Sequence, residues 1–181
     1  QAIESLTDSE RFGLGARHVT VSTSGEIPGI ERMANDAKHL QINLAVSLHA
    51  PDDTLRDELV PLNRKYPVKE LMRAVRGYIA KTHRRVTFEY ALMDGVNDHA
   101  AQARLLAQLL SGMLCHVNLI PLNPTATDKF RRSPYERVKA FEKILRDTGI
   151  PTTLRVEKGI DIAAGCGQLR QVKKERHGII V

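Results

Sequence analysis

The chain has 181 residues, 42% of them hydrophobic and 27% charged, the make-up of one globular domain with room for a core. Aromatic residues are only 4% and tryptophan is absent, which argues against a base-stacking platform. The net charge of +6 favours a polyanionic partner, and two cysteines, Cys115 and Cys166, are too few for a disulfide framework, an iron–sulfur cluster or a structural zinc without other ligands.

Cysteine usage reads as reduced and cytosolic, with no membrane span and no signal peptide. The first residue is Gln1 rather than methionine, so a longer parent chain is expected. Residues 1–17 read as a helix end and a loop. His18-Val19-Thr20-Val21-Ser22 reads as a first strand, rich in β-branched residues, running into the small polar turn Thr23-Ser24-Gly25. Pro28 opens a helix with Ile30, Met33, Ala34 and Ala37 on one face. Ile42 to Leu48 is an apolar second strand, which reads as covered on both faces. Asp52 or Asp53 caps a short helix through Leu59, and Pro61 and Pro67 bracket a connector.

The next helix carries Val68, Leu71, Met72, Val75, Tyr78 and Ile79 at helical spacing. Arg85 to Leu92 is the third strand, and Asp94-Gly95-Val96-Asn97-Asp98 is a turn ending in a capping residue. A leucine-rich helix follows, with Leu105, Leu106, Leu109 and Leu110 expected to face inward. Val117 to Pro121 is the fourth strand, followed by a polar, basic loop over residues 123–132. Ser133-Pro134-Tyr135-Glu136 has the form of a capping box with proline at the first helical position. Val138, Phe141, Ile144 and Leu145 form that helix's core face, and Gly149 and Pro151 stop it. Thr152 to Val156 is a fifth strand, leading to Asp161-Ile162-Ala163-Ala164-Gly165-Cys166-Gly167-Gln168-Leu169.

Strand and helix alternate, so the fold class is α/β with parallel strands and right-handed crossovers. Five strands are too few for a closed eight-stranded barrel; an open sheet or a partial (β/α) barrel fits better. Parallel sheets bind ligands at the carboxyl ends of their strands. Ser22, Thr23, Ser24, Ser47, His49, Asn97, Asp98, Asn123 and Cys166 all fall at such ends. Each also has a plain structural role open to it: helix capping for Ser22 and Ser24, a backbone bond for His49, a turn for Asn123 before Pro124. Cys166 between two glycines suits either a mobile, reaching thiol or a small buried one. Glu89, mid-strand, either faces solvent or pairs with Arg155 or Arg85. No phosphate-cradling glycine fingerprint and no H-E-x-x-H metal motif occurs.

Seven stretches together resemble one family. They are Val21-Ser22-Thr23-Ser24-Gly25, Ala45-Val46-Ser47-Leu48-His49-Ala50-Pro51, the run from Arg56 to Asn63, and Phe88-Glu89-Tyr90-Ala91-Leu92. The others are Val96-Asn97-Asp98, the run from Val117 to Pro124, and Ala164-Gly165-Cys166-Gly167-Gln168-Leu169. The family is the radical S-adenosylmethionine adenine-C2 methyltransferases of ribosomal and transfer RNA, of RlmN type. A sister family that methylates another carbon of the same adenine shares much of the pattern.

The resemblance implies a partial barrel holding a 4Fe–4S cluster and S-adenosylmethionine. It places Ser22, Ser47, Leu48, His49 and Asn123 on cofactor-contacting positions, and Cys166 on the thiol that is itself methylated. It implies that a second S-adenosylmethionine is cleaved reductively at the cluster, that the resulting radical activates the S-methyl group, and that a second cysteine resolves the RNA adduct. It also implies an electron donor such as a flavodoxin, a monomer and a cytoplasmic location. The cluster motif, a Gly-Glu-Pro segment and the resolving cysteine are absent here and expected upstream, so no metal ligand is assigned in this chain. Residues 1–169 then form the carboxyl-terminal part of the methyltransferase core and 170–181 a basic tail, inactive alone. A non-catalytic RNA-binding fragment, based on Arg84-Arg85, Lys129, Arg131-Arg132 and the basic tail, is the alternative from another class; a thiol redox protein is a third.

Overall fold

The computed structural model describes residues 2–36, 41–122 and 130–155. Its five strands are β1 (Thr20–Thr23), β2 (Asn43–Ser47), β3 (Val86–Leu92), β4 (Cys115–Pro121) and β5 (Thr152–Leu154). They form one sheet in sequence order, every neighbouring pair parallel. The helices are α1 (Ala2–Thr7), α2 (Ile27–Asn35), α3 (Asp53–Leu59), α4 (Val68–Thr82), α5 (Ala100–Leu110) and α6 (Tyr135–Asp147). Sequential parallel order with crossovers of one hand stacks the crossover helices on one face, as in a barrel wall. The expected α/β class and parallel order are borne out, and a partial barrel is consistent with them.

Strand alternation then sorts the residues. Leu44, Val46, Val86, Phe88, Tyr90, Leu92, Val117 and Leu119 are buried against Ile30, Leu71, Val75, Tyr78, Leu106, Val138, Phe141 and Leu145 of the helices. Each such side chain contributes roughly 1.5–3 kcal/mol of burial free energy. The Tyr90 and Phe141 rings meet at 5.2 Å, joining β3 to α6.

The opposite face carries Ser22, Ala45, Thr87 and His116 at one register level. One step nearer the carboxyl ends it carries Ser47, Glu89, Asn118 and Thr153. The expectation that the second strand is covered on both faces holds at its centre, where Leu44, Ala45 and Val46 are all buried, while the polar Asn43 and Ser47 at its ends are half-buried. The run reads as continuous because Ala45, between Leu44 and Val46, is small and itself buried.

Other local expectations shift for identifiable reasons. The first strand begins at Thr20, because residues 16–18 close a 3-10 turn. Helix α2 is capped by Glu26, whose carboxylate accepts from the Gly29 N–H, rather than by Ser22 or Ser24. Helix α3 starts as expected, with the Asp52 carboxylate accepting from the Leu55 N–H. Leu106 and Leu110 are buried, but Leu105 is 46% exposed, one position off the inward face of α5. Asp98 does not cap α5; its Oδ1 turns back to accept from the Gly95 N–H at 3.0 Å, leaving His99 at the cap position with no side-chain cap bond. Nor does the capping box form. Pro134 stands before the first turn of α6 with no side-chain cap, and the buried Ser133 hydroxyl has no partner among the described residues. Ala37, Val156 and the segment 161–169 lie outside the described residues.

Candidate functional site: the carboxyl-end mouth of the sheet

The mouth is built on a buried arginine. Arg56 is fully buried on α3, which runs between Pro51 and Pro61. Its Nη2 donates to the carbonyls of Ser24 at 2.7 Å and Ser47 at 3.1 Å, and its Nε donates to the carbonyl of Leu48 at 3.0 Å. One guanidinium thus ties the outgoing ends of β1 and β2 together. Nη1 donates to Asn63 Oδ1 at 2.8 Å, and the Asn63 amide donates onward to Asp53 at 2.9 Å and Asp57 at 2.7 Å. The two carboxylates therefore neutralise the arginine through an intermediary. Burial pulls its pKa down from the usual guanidinium value, and Asp53 and Asp57 push it back up. Gly25 lets the guanidinium come this close: its φ is +111°, and a Cβ there would lie 3.1 Å from Nη2 and 3.2 Å from Leu71.

His49 is the next residue of the mouth, with φ of 60°, a left-handed conformation that a non-glycine residue adopts only when its surroundings impose it. Its Nδ1 accepts from the Ala91 N–H at 3.1 Å, taking the place of the β2 carbonyl after the strand has turned away. Nδ1 is then the acceptor and Nε2 carries the proton, with no partner among the described residues. Burial, and then the positive charge of Arg56, hold the imidazole neutral, its pKa brought down from 6.5 to about 4.

Asn97 locks the turn from beneath. Its amide nitrogen donates to the carbonyls of His49 at 2.8 Å and Ala91 at 2.7 Å, while its Oδ1 accepts from the Met93 N–H at 2.8 Å. The Tyr90 hydroxyl in turn donates to the Asn97 carbonyl at 3.0 Å. Asn97 and Asp98 are both fully buried, so neither offers a group to the mouth, contrary to the expectation drawn from their place after β3. Asp98 and Asp94 are bridged instead by Arg137 of α6, at 3.1 and 3.0 Å.

Among the residues expected to hold a cofactor, Ser22 lies exposed on the polar face of β1, and Ser47 ends β2 on that same face. Neither hydroxyl bonds to another described residue. Leu48 has its side chain in the core, its N–H on the Glu89 carbonyl and its carbonyl on Arg56. Ser22, Ser47 and the His49 Nε2–H are therefore the groups available to a ligand in this part of the mouth. Hydroxyls and a neutral N–H suit a polar, uncharged group such as a nucleoside. Asn123 and Cys166 lie outside the described residues.

Glu89 forms no ion pair with Arg155 or Arg85, which corrects that option; its Oε2 accepts from the Asn118 amide at 2.9 Å. Arg56 and Asn63 were not singled out as individual residues by sequence reasoning, and Asn97 was singled out only as a strand-end group open to a ligand, not as the lock of the turn. The available signal was their density within the resembling stretches, but nothing in local spacing says that an arginine flanked by two aspartates is buried. Among the described residues no cluster of three His, Cys, Asp or Glu could hold a metal ion, so these residues do not fit an iron–sulfur cluster.

No family model matches the chain. Among solved structures it superposes on a radical SAM methyltransferase from Sphaerobacter thermophilus with a TM-score of 0.86 and 58% identity, over 90% of this chain and 47% of that one. A domain of a pyruvate-formate lyase-activating enzyme from Bacteroides vulgatus, 20% identical with a TM-score of 0.63, shares the fold over 85% of this chain and 89% of that one. Fold and sequence together thus define a radical S-adenosylmethionine methyltransferase core.

Among curated proteins, the chain is 58% identical to a probable dual-specificity RNA methyltransferase RlmN of Chloroflexus aurantiacus, over 93% of this chain and 46% of that protein. It is 52% identical to the ribosomal RNA large subunit methyltransferase N of Nitrosopumilus maritimus, over 94% and 48%. The chain belongs to this RlmN-type family and spans about half the length of the curated relatives it matches.

Proposed function

We propose that this chain supplies the S-adenosylmethionine-binding mouth and the methyl-carrying thiol of an enzyme that methylates carbon 2 of adenine in ribosomal and transfer RNA. The observation that carries the reading is that Ser22 and Ser47 share the polar face of the sheet, with His49 just past the end of β2 keeping its Nε2–H free among the described residues, in a chain 58% identical to an RlmN-type relative. When bound, the cofactor supplies methyl groups and radical chemistry, which suits a ring carbon that is not nucleophilic. The chain's own residues bind and orient. Ser22 and Ser47 offer hydroxyls, His49 donates a neutral N–H, and Leu48 anchors their segment in the core. Asn123 completes the set. Cys166, with a glycine on either side, takes up the methyl group and presents it to the base.

In this reading the cluster is held by cysteines outside this chain, since the chain carries only two, Cys115 and Cys166. Ribosomal and transfer RNA, a flavodoxin-like electron donor, a monomeric state and a cytoplasmic location complete the proposal. In support, no helix among the described residues is long and apolar enough to cross a membrane. Residues 1–169 act as part of the methyltransferase core and residues 170–181 as a basic tail against RNA phosphates.

The test is mass spectrometry of the full-length enzyme from its native cell, alongside Cys166→Ala. A methyl group on the Cys166 sulfur and loss of 2-methyladenine in the variant are expected. Methylation that survives in Cys166→Ala favours the RNA-binding fragment instead.

A further inference from the structure

On the polar face of the sheet a chain of hydrogen bonds converges on one carboxylate. His116 Nε2 lies 2.8 Å from Thr153 Oγ1, Thr153 donates to Asn118 Oδ1 at 3.3 Å, and Asn118 Nδ2 donates to Glu89 Oε2 at 2.9 Å. With Thr153 donating to Asn118, its oxygen is left to accept from His116, and every donor in the series points toward Glu89. Asn118 Nδ2 is the side-chain donor that this series brings to the carboxylate. Yet among the described residues no Lys, Arg or His lies within ion-pairing distance of Glu89, and its second carboxylate oxygen has no partner.

Glu89 stands in register with Ser47 on β2, one strand across, and its own carbonyl accepts the Leu48 N–H at 3.0 Å. An unneutralised, half-buried carboxylate beside a ligand-ready hydroxyl calls for a cation or a strong donor from the ligand. We infer that Glu89 is a binding residue whose carboxylate faces the positive charge of S-adenosylmethionine, so that the site selects the charged cofactor over neutral adenosine thioethers. The inference rests on the cofactor reading above and adds to it a residue and a basis for selectivity.

The test is binding, not turnover. Affinities of S-adenosylmethionine, S-adenosylhomocysteine and neutral 5′-methylthioadenosine are measured by calorimetry on the full-length protein and on Glu89→Gln. The substitution is isosteric and keeps an acceptor for Asn118. Expected is a loss of about tenfold or more for S-adenosylmethionine, the size of a charge-assisted contact, with methylthioadenosine changed by less than about twofold. Glu89→Asp, which keeps the charge, should retain the preference for the charged ligand. It also guards the test should Glu89→Gln fail to fold. Equal losses for all three ligands, or none, overturn the inference while leaving the cofactor reading standing. A wild-type protein that binds none of the three overturns both.

Discussion

At the scale of single residues, the mouth depends on buried groups that hold the strand ends by hydrogen bonds to the backbone. Arg56→Met would leave the carbonyls of Ser24, Ser47 and Leu48 and the oxygen of Asn63 without their donor. We expect a loss of about 3 kcal/mol in urea unfolding, since each buried, unsatisfied group costs about 1–3 kcal/mol and some would find water. Lysine should rescue little, because one ammonium cannot span the three directions the fork serves. His49 gives a pH signature. Its folded pKa of about 4 lies below the ordinary 6.5, so between those values the unfolded chain takes up a proton that the folded chain refuses. Its contribution is fully present above pH 6.5 and is lost as pH falls toward 4, at up to about 1.4 kcal/mol per pH unit. Urea melts at pH 7 and pH 4.5 should show the drop, and His49→Asn, which tolerates the left-handed backbone, should flatten it. Neither group's role was visible from its neighbours in sequence, because burial and backbone partners depend on segments many positions away.

At the scale of elements, the β3–α5 connection is held by Asn97, and residues just ahead of α6 tie to the same turn, the Asp94 N–H donating to the Arg131 carbonyl at 2.9 Å and Met93 bridging to Arg132. Asn97→Asp keeps shape but sets a carboxylate oxygen against the carbonyls of His49 and Ala91 in place of the amide donor. About 2–3 kcal/mol of destabilisation is expected, read by thermal or urea unfolding. Arg137→Ala would leave the buried Asp98 without its cation and should cost about 2 kcal/mol by the same measurement, less than for a fully buried pair because Arg137 is 38% exposed. Ser133→Ala should be neutral or slightly stabilising, because the hydroxyl it removes is buried and unpaired. The capping box that the motif Ser133-Pro134-Tyr135-Glu136 suggests therefore contributes nothing to α6. Helices α2, α4 and α6 were legible from periodic apolar residues, since burying one stripe is what forms them. Their caps were less so, because several side chains at helix starts were drawn off to turns and to neighbouring elements.

At the scale of the whole molecule, the sheet has two unlike faces, and that asymmetry makes it a wall of a barrel rather than the centre of a sandwich of helices. Incubating the isolated chain anaerobically with iron and sulfide should give no stable cluster, read from its visible absorbance, because the described residues present no set of ligands. The order of strands and helices, the parallel sheet and the family were all set by the amino-acid sequence alone: alternation of apolar strands with amphipathic helices admits few topologies, and the motif stretches are dense. The tertiary structure alone decided which polar groups at the strand ends keep free hydrogen-bonding atoms. Among the described residues the Ser22 and Ser47 hydroxyls and the His49 Nε2–H have no partner, whereas the Asn97 amide is spent on backbone and Asp98 is buried against Gly95 and Arg137. The reason is physical. A side chain's availability is set by what its hydrogen-bonding atoms have already satisfied, and those partners come from strands and loops brought together only when the sheet forms.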